Sequence, residues 1–145
     1  MNKQLDWDYE LWATKLWIAY APSLKNHERA SEVIQHITGA QYAWYNRVAS
    51  FLGDPECTDA PQGHHQIELE RYARLWKDLI VRHGLAVEIE YQDRQGNSYK
   101  SELGEILTHV LNHGSYHRGH LRGLAEAEGR DDFPDSDFIF YARCT

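Results

Sequence analysis

The sequence predicts an all-α protein, a four-helix bundle with a short β-hairpin inserted before the last long helix. Three observations carry that expectation. Apolar residues recur at three- and four-residue steps over four stretches long enough for bundle helices. The period drops to two in one place, where Val87, Ile89 and Tyr91 alternate with Glu88 and Glu90. The connections between the helical stretches are short, which favours a bundle over other all-α layouts. The 145 residues suit a single domain, 1–145, with one sizeable core.

The first helix is expected over residues 5–20, with Leu5, Tyr9, Trp12, Leu16 and Ala19 as its apolar stripe and Pro22 as its stop. A second helix is expected over 28–52, its stripe formed by Val33, Ile37, Ala40, Trp44, Val48 and Phe51 and its end by Gly53-Asp54-Pro55. A third should cover 64–83, turning Ile67, Tyr72, Leu75, Trp76, Leu79 and Ile80 inward before Gly84. The hairpin pairs residues 86–92 with 97–101 across the turn residues Arg94-Gln95-Gly96-Asn97. A fourth helix starts at Ser101 or Glu102 and runs to residue 128, closed by Gly129. The apolar run 138–141 is expected to pack against the bundle.

Composition narrows the partners. Net charge is 15 − 22 = −7 with neutral histidines. That sign argues against nucleic acid and against an anionic membrane surface, both of which need clustered Lys and Arg. Asp6, Asp8 and Glu10 stand where a signal peptide would carry an apolar run, so a cytoplasmic location is expected. Cys57 and Cys144 form no CxxC pair, and thus neither a thiolate zinc site nor a disulfide framework is indicated.

The chemistry concentrates in the segment HVLNHGSYHRG, residues 109–119. On a helical wheel His113 and His117 fall with Leu103, Ile106, Val110, Leu121 and Leu124, near the centre of the buried face. Burying neutral imidazoles costs about 1–3 kcal/mol per unsatisfied nitrogen, so each ring needs a partner. Residues four apart on one face can share a metal ion. Two core histidines hydrogen-bonded to backbone or hydroxyl groups would fit the same pattern, and a third ligand decides between the readings. His36 supplies a candidate, lying near the apolar face of the second helix beside Ile37, Val33, Ala40 and Trp44. Three nitrogens would leave open positions, as in catalytic rather than closed structural sites.

The other histidines receive lesser roles. His109 and His120 flank the stripe as supporting or cleft-lining residues, and Tyr116, Asn112 and Trp44 join them as cleft candidates. His64 and His65 read as residues at the start of the third helix, and His27 and His83 as helix-boundary residues without a role. Arg118 is expected to point off the buried face, toward a carboxylate or a bundle partner. Gly114 and Gly119 each cost about 1 kcal/mol against Ala inside a helix, which close approach of another helix would explain. Glu105 and His109 are four apart rather than the three of a di-iron ExxH motif.

The segments HITGAQYAWYNRV (36–48), VEIEYQDRQGNSYKSELGEILTHV (87–110) and NHGSYHRGHL (112–121), with the closing DFIFYAR (137–143), resemble the DinB-like superfamily of four-helix metalloproteins. The resemblance implies a divalent metal held by His36, His113 and His117. It also implies relatives of two kinds. Some are thiol-dependent transferases and isomerases that use bacillithiol, mycothiol or glutathione; others are DNA-damage-inducible proteins of unknown activity, and homodimers are common. A related iron-enzyme subgroup carries HxxxHxE, and Gly119 replaces that Glu here.

The expected function is therefore a divalent-metal-binding protein (Zn, Ni, Fe or Mn) acting on a small-molecule substrate. It would transfer a low-molecular-weight thiol to an electrophile, or hydrolyse a small substrate, at the three-His site. The alternative is a metal-binding stress protein without turnover of its own. Three imidazoles discriminate poorly among transition metals.

Overall fold

The computed structural model describes residues 3–144. Four long helices pack as a bundle, with a two-stranded hairpin between the third and fourth and a short fifth helix at the tail. Helix α1 (Trp7–Tyr20) begins two residues later than expected because Asp6 is its cap. The Asp6 carboxylate accepts from the Asp8 and Tyr9 amides at 3.0 and 3.1 Å. Its buried face also differs from the expected stripe: Trp7, Tyr9, Glu10, Ala13, Thr14 and Trp17 are inside, while Leu5 and Ala19 are exposed. Counting apolar residues alone passes over a face that includes a carboxylate and a hydroxyl.

Helix α2 (His27–Leu52) ends where Gly53 adopts φ 76, a left-handed cap suited to a residue without Cβ. Val33, Ile37 and Val48 are buried as expected, but the inner face turns toward Ile34, Gln41, Tyr45 and Ala49. Trp44 is half-buried and Phe51 exposed. Helix α3 (His65–His83) buries Leu69, Tyr72, Trp76 and Leu79, whereas Ile67 is solvent-facing at 61% exposure.

Strands β1 (Glu88–Gln92) and β2 (Ser98–Glu102) pair antiparallel with Glu90 opposite Lys100 and Tyr91 opposite Tyr99. The Asp93 carboxylate closes the turn by accepting from the Gln95 and Asn97 amides, both at 2.9 Å. Only Ile89 of the hairpin is fully buried, and it joins the core of α2, α3 and α4. Helix α4 (Leu103–Ala127) starts with a reciprocal cap between Glu102 and Glu105.

The apolar core is divided in two along the bundle. One cluster gathers Trp7, Tyr45, Tyr72, Trp76, Ile89, Leu103, Ile106 and Val110, with Trp7 stacked on Trp76 at 5.2 Å. The other gathers Trp17, Leu24, Ile34, Leu121 and Ala125. Between them, on three helices at once, lie the buried polar residues Glu10 and Thr14, Thr38 and Gln41, and Arg118. Following any of these helices from one cluster to the other crosses this polar waist.

The tail crosses α1. Ser136 accepts from the Tyr9 hydroxyl at 2.7 Å through its carbonyl and from the Trp17 indole at 2.9 Å through its hydroxyl. Helix α5 (Phe138–Arg143) then sets Phe138 and Tyr141 against the Tyr9 ring of α1, so two residues of the run 138–141 pack as expected while Ile139 and Phe140 stay exposed. Among the described residues, no helix is long and apolar enough to cross a membrane.

Candidate metal centre

The waist is also the level at which three imidazoles meet. Helices α2 and α4 pack side by side, and His36 from α2 faces His113 and His117 from α4. One ring nitrogen from each lies within 4.8 Å of the others. The ring centroids are 4.9 Å (His36 to His113), 4.4 Å (His36 to His117) and 4.3 Å (His113 to His117) apart. The Nε2 atoms of His113 and His117 approach to 3.1 Å. Two nitrogens bound to one tetrahedral ion at about 2.0–2.1 Å stand about 3.3 Å apart, so this pair already has the spacing of two ligands.

The environment keeps the two α4 rings, His113 and His117, unprotonated. Burial lowers the His113 pKa to about 4, helped by the neighbouring His117, His36 and His109. Burial likewise lowers His117, with His36 next in weight. A neutral imidazole offers the lone pair that a metal needs, and an N₃ donor set fits a divalent transition ion.

The wheel predicts a site in the middle of the bundle, but the three rings lie at the edge of the buried face. His36 is exposed, and His113 and His117 are half-buried. The inward positions belong to the residues that follow each histidine, Gly114 and Arg118. Arg118, expected to point off the buried face, is 3% exposed and pairs with the fully buried Glu10 at 2.7 Å. Its guanidinium also donates to the hydroxyls of Thr14 and Ser115, each at 3.0 Å. Burial raises the Glu10 carboxyl above its ordinary range, and Arg118 opposes that shift. Gly114 makes room for this pair: a Cβ there would stand 2.7 Å from Glu10 Cδ. Gly119 has no such neighbour within 4 Å, so helix approach does not account for it.

The remaining candidates separate clearly. His109 is exposed, its ring 5.9 Å from His113 and 5.4 Å from Trp44, at the border of the cluster. His120 and Asn112 are exposed and outside the convergent group. Tyr116 is 76% exposed and meets His117 edge-on at 5.2 Å. His65 is half-buried and bonded to Ser31 at 3.0 Å, and His83 bonds Asp54 at 2.7 Å.

Trp44 does line a cleft. A groove of about 630 Å³ runs from His36 and His113 past Gly39 and Trp44 to Arg47 and Arg94. A second hollow of about 510 Å³ shares Trp44, Arg47 and Arg94 and continues to Tyr91 and His109. Sequence reasoning missed both arginines. The one signal available was Arg47 three residues after Trp44 on the same helix, which places its guanidinium 4.3 Å from the indole.

A family model described as DinB family matches residues 20–142. No curated protein and no solved structure matches the chain.

Proposed function

The chain belongs to the DinB family, and from that premise we propose that His36, His113 and His117 bind one divalent cation at a site with open coordination positions facing a small-molecule groove. The observation that carries this reading is the convergence of one nitrogen from each ring within 4.8 Å. Bound there, a Zn²⁺-like ion would supply a Lewis acid that lowers the pKa of a thiol or water. The reaction class that fits is transfer of a low-molecular-weight thiol to an electrophile, or hydrolysis of a small substrate.

The protein's own contribution is positional. The Glu10–Arg118 pair ties α4 to α1 one residue beyond His117, fixing the rotation that turns both α4 histidines toward α2. Partial burial keeps His113 and His117 neutral near pH 7, so no proton must leave before ligation. Trp44 and the small residues Gly39 and Ala40 leave open space beside the rings.

A second reading, metal binding without turnover, has one observation in its favour: among the described residues, the convergent group contains imidazoles alone. Elemental analysis tests what the two readings share. Wild type should carry one ion per chain and His117→Ala should lose it with its helical circular dichroism intact; unchanged metal content would reject the assignment. Metal-loaded protein should then conjugate one of a panel of small thiols to a chloro-dinitroarene, or cleave a simple ester. Inertness to all of them would select the second reading.

A further inference from the structure

Arg47 and Arg94 stand at the groove with no carboxylate of their own. Among the described residues neither forms an ion pair, in a chain whose net charge is −7. The acidic side chains along the same two hollows are already engaged. Asp93 accepts from Gln95, Asn97 and Tyr99 within its turn. Glu105 caps α4 through the Glu102 amide, and Glu32 pairs with Arg29. The two cations are therefore the uncommitted charges of the groove.

Their setting is built rather than incidental. The Arg47 guanidinium lies 4.3 Å from the Trp44 ring centre and 5.9 Å from that of Tyr91, held between an aromatic of α2 and one of the hairpin. Trp44 and Tyr91 in turn meet edge-on at 5.3 Å. Stacking holds the planar fork in place while leaving its edge free to donate, which lowers the entropic cost of gripping an anion. Arg94 comes from the hairpin turn and lines both hollows with Arg47. At its other end the groove reaches His36 and His113.

We infer that the groove reaching the histidines binds a small organic anion, its carboxylate or phosphate paired by Arg47 and Arg94 and its apolar body lying along Trp44, with the far end of the molecule directed at the three histidines. This assigns a substrate class to the proposed metal site and rests on that reading for the substrate's orientation; the anion grip itself belongs to the two arginines. The volume of each hollow falls in the range of small-molecule pockets.

The test is calorimetric titration of the full chain, metal-free and metal-loaded, with benzoate, phenyl phosphate and the neutral benzamide. Wild type should bind at least one of the two anions in both forms, and benzamide at least about tenfold more weakly. Which anion wins distinguishes a carboxylate from a phosphate ligand. Arg47→Gln and Arg94→Gln should each weaken the anion by about tenfold, Arg47→Lys should restore only part of it, and metal stoichiometry should be unchanged in all three. Equal binding of benzamide, unchanged affinity in both glutamine variants, or binding of neither anion would overturn the inference. Anion binding without metal uptake would instead reject the metal site and leave the anion groove standing.

Discussion

Glu10→Met isolates the largest electrostatic commitment in the fold. Wild-type Glu10 is fully buried and accepts from Arg118 at 2.7 Å, Thr14 at 3.3 Å and Gln41 at 3.4 Å. Removing the carboxylate leaves the Arg118 guanidinium, itself 3% exposed, with only the Thr14 and Ser115 hydroxyls. Stripping one partner from a buried ion pair costs about 3–5 kcal/mol, against a total stability of about 5–15 kcal/mol for a domain. With a urea slope near 2 kcal/mol/M, the unfolding midpoint should fall by about 2 M. The assay is equilibrium urea denaturation followed by far-UV circular dichroism. Adding Arg118→Met removes the orphaned cation and fills the layer with apolar volume, so the double variant should regain most of the loss. A single-variant cost below about 1 kcal/mol, or a double variant no more stable than Glu10→Met alone, would refute the account of the waist as a mutually dependent pair.

Two further outcomes follow from the same geometry. Gly114→Ala forces a methyl against the Glu10 carboxylate and should destabilise by about 1–3 kcal/mol, while Gly119→Ala, with nothing within 4 Å, should stabilise by up to about 1 kcal/mol; paired thermal melts compare them, and equal shifts would contradict the packing described. In the metal-free protein His113 is held to a pKa of about 4 against 6.5 for the free side chain. Below pH 6.5 the unfolded chain takes up a proton that the folded chain refuses, so stability should be full above that pH and fall steadily toward pH 4. Urea midpoints measured across this window should flatten in His113→Gln, and an unaltered pH profile in that variant would show that another group is responsible.

Much of this architecture was legible in the residues. The change from a period near 3.6 to a period of two at Val87–Tyr91 located the hairpin, and Gly53 marked a helix end because its left-handed backbone suits no bulkier residue. The histidine spacing in α4, joined to His36, named the three rings that the fold brings together. What escaped was the polar waist. A wheel that scores apolar residues places Leu5, Trp12 and Ala19 inward on α1, because nothing in a single helix says that Glu10 will meet a cation 108 positions later. The same blindness sent Arg118 outward and drew His113 and His117 to the centre of a face they only border. Gly114 carried a trace of the truth, since a glycine inside a helix asks what it makes room for. Arg47 and Arg94 escaped for a related reason: the groove they share exists only once the hairpin folds back over α2.

The central claim is best tested by X-ray absorption at the metal edge of the loaded protein. The spectrum should show three imidazole nitrogens at about 2.0–2.1 Å, completed by light exchangeable ligands, and two such nitrogens in His36→Ala. A sulfur neighbour, a shell without imidazole, or a His36→Ala spectrum identical to wild type would contradict it.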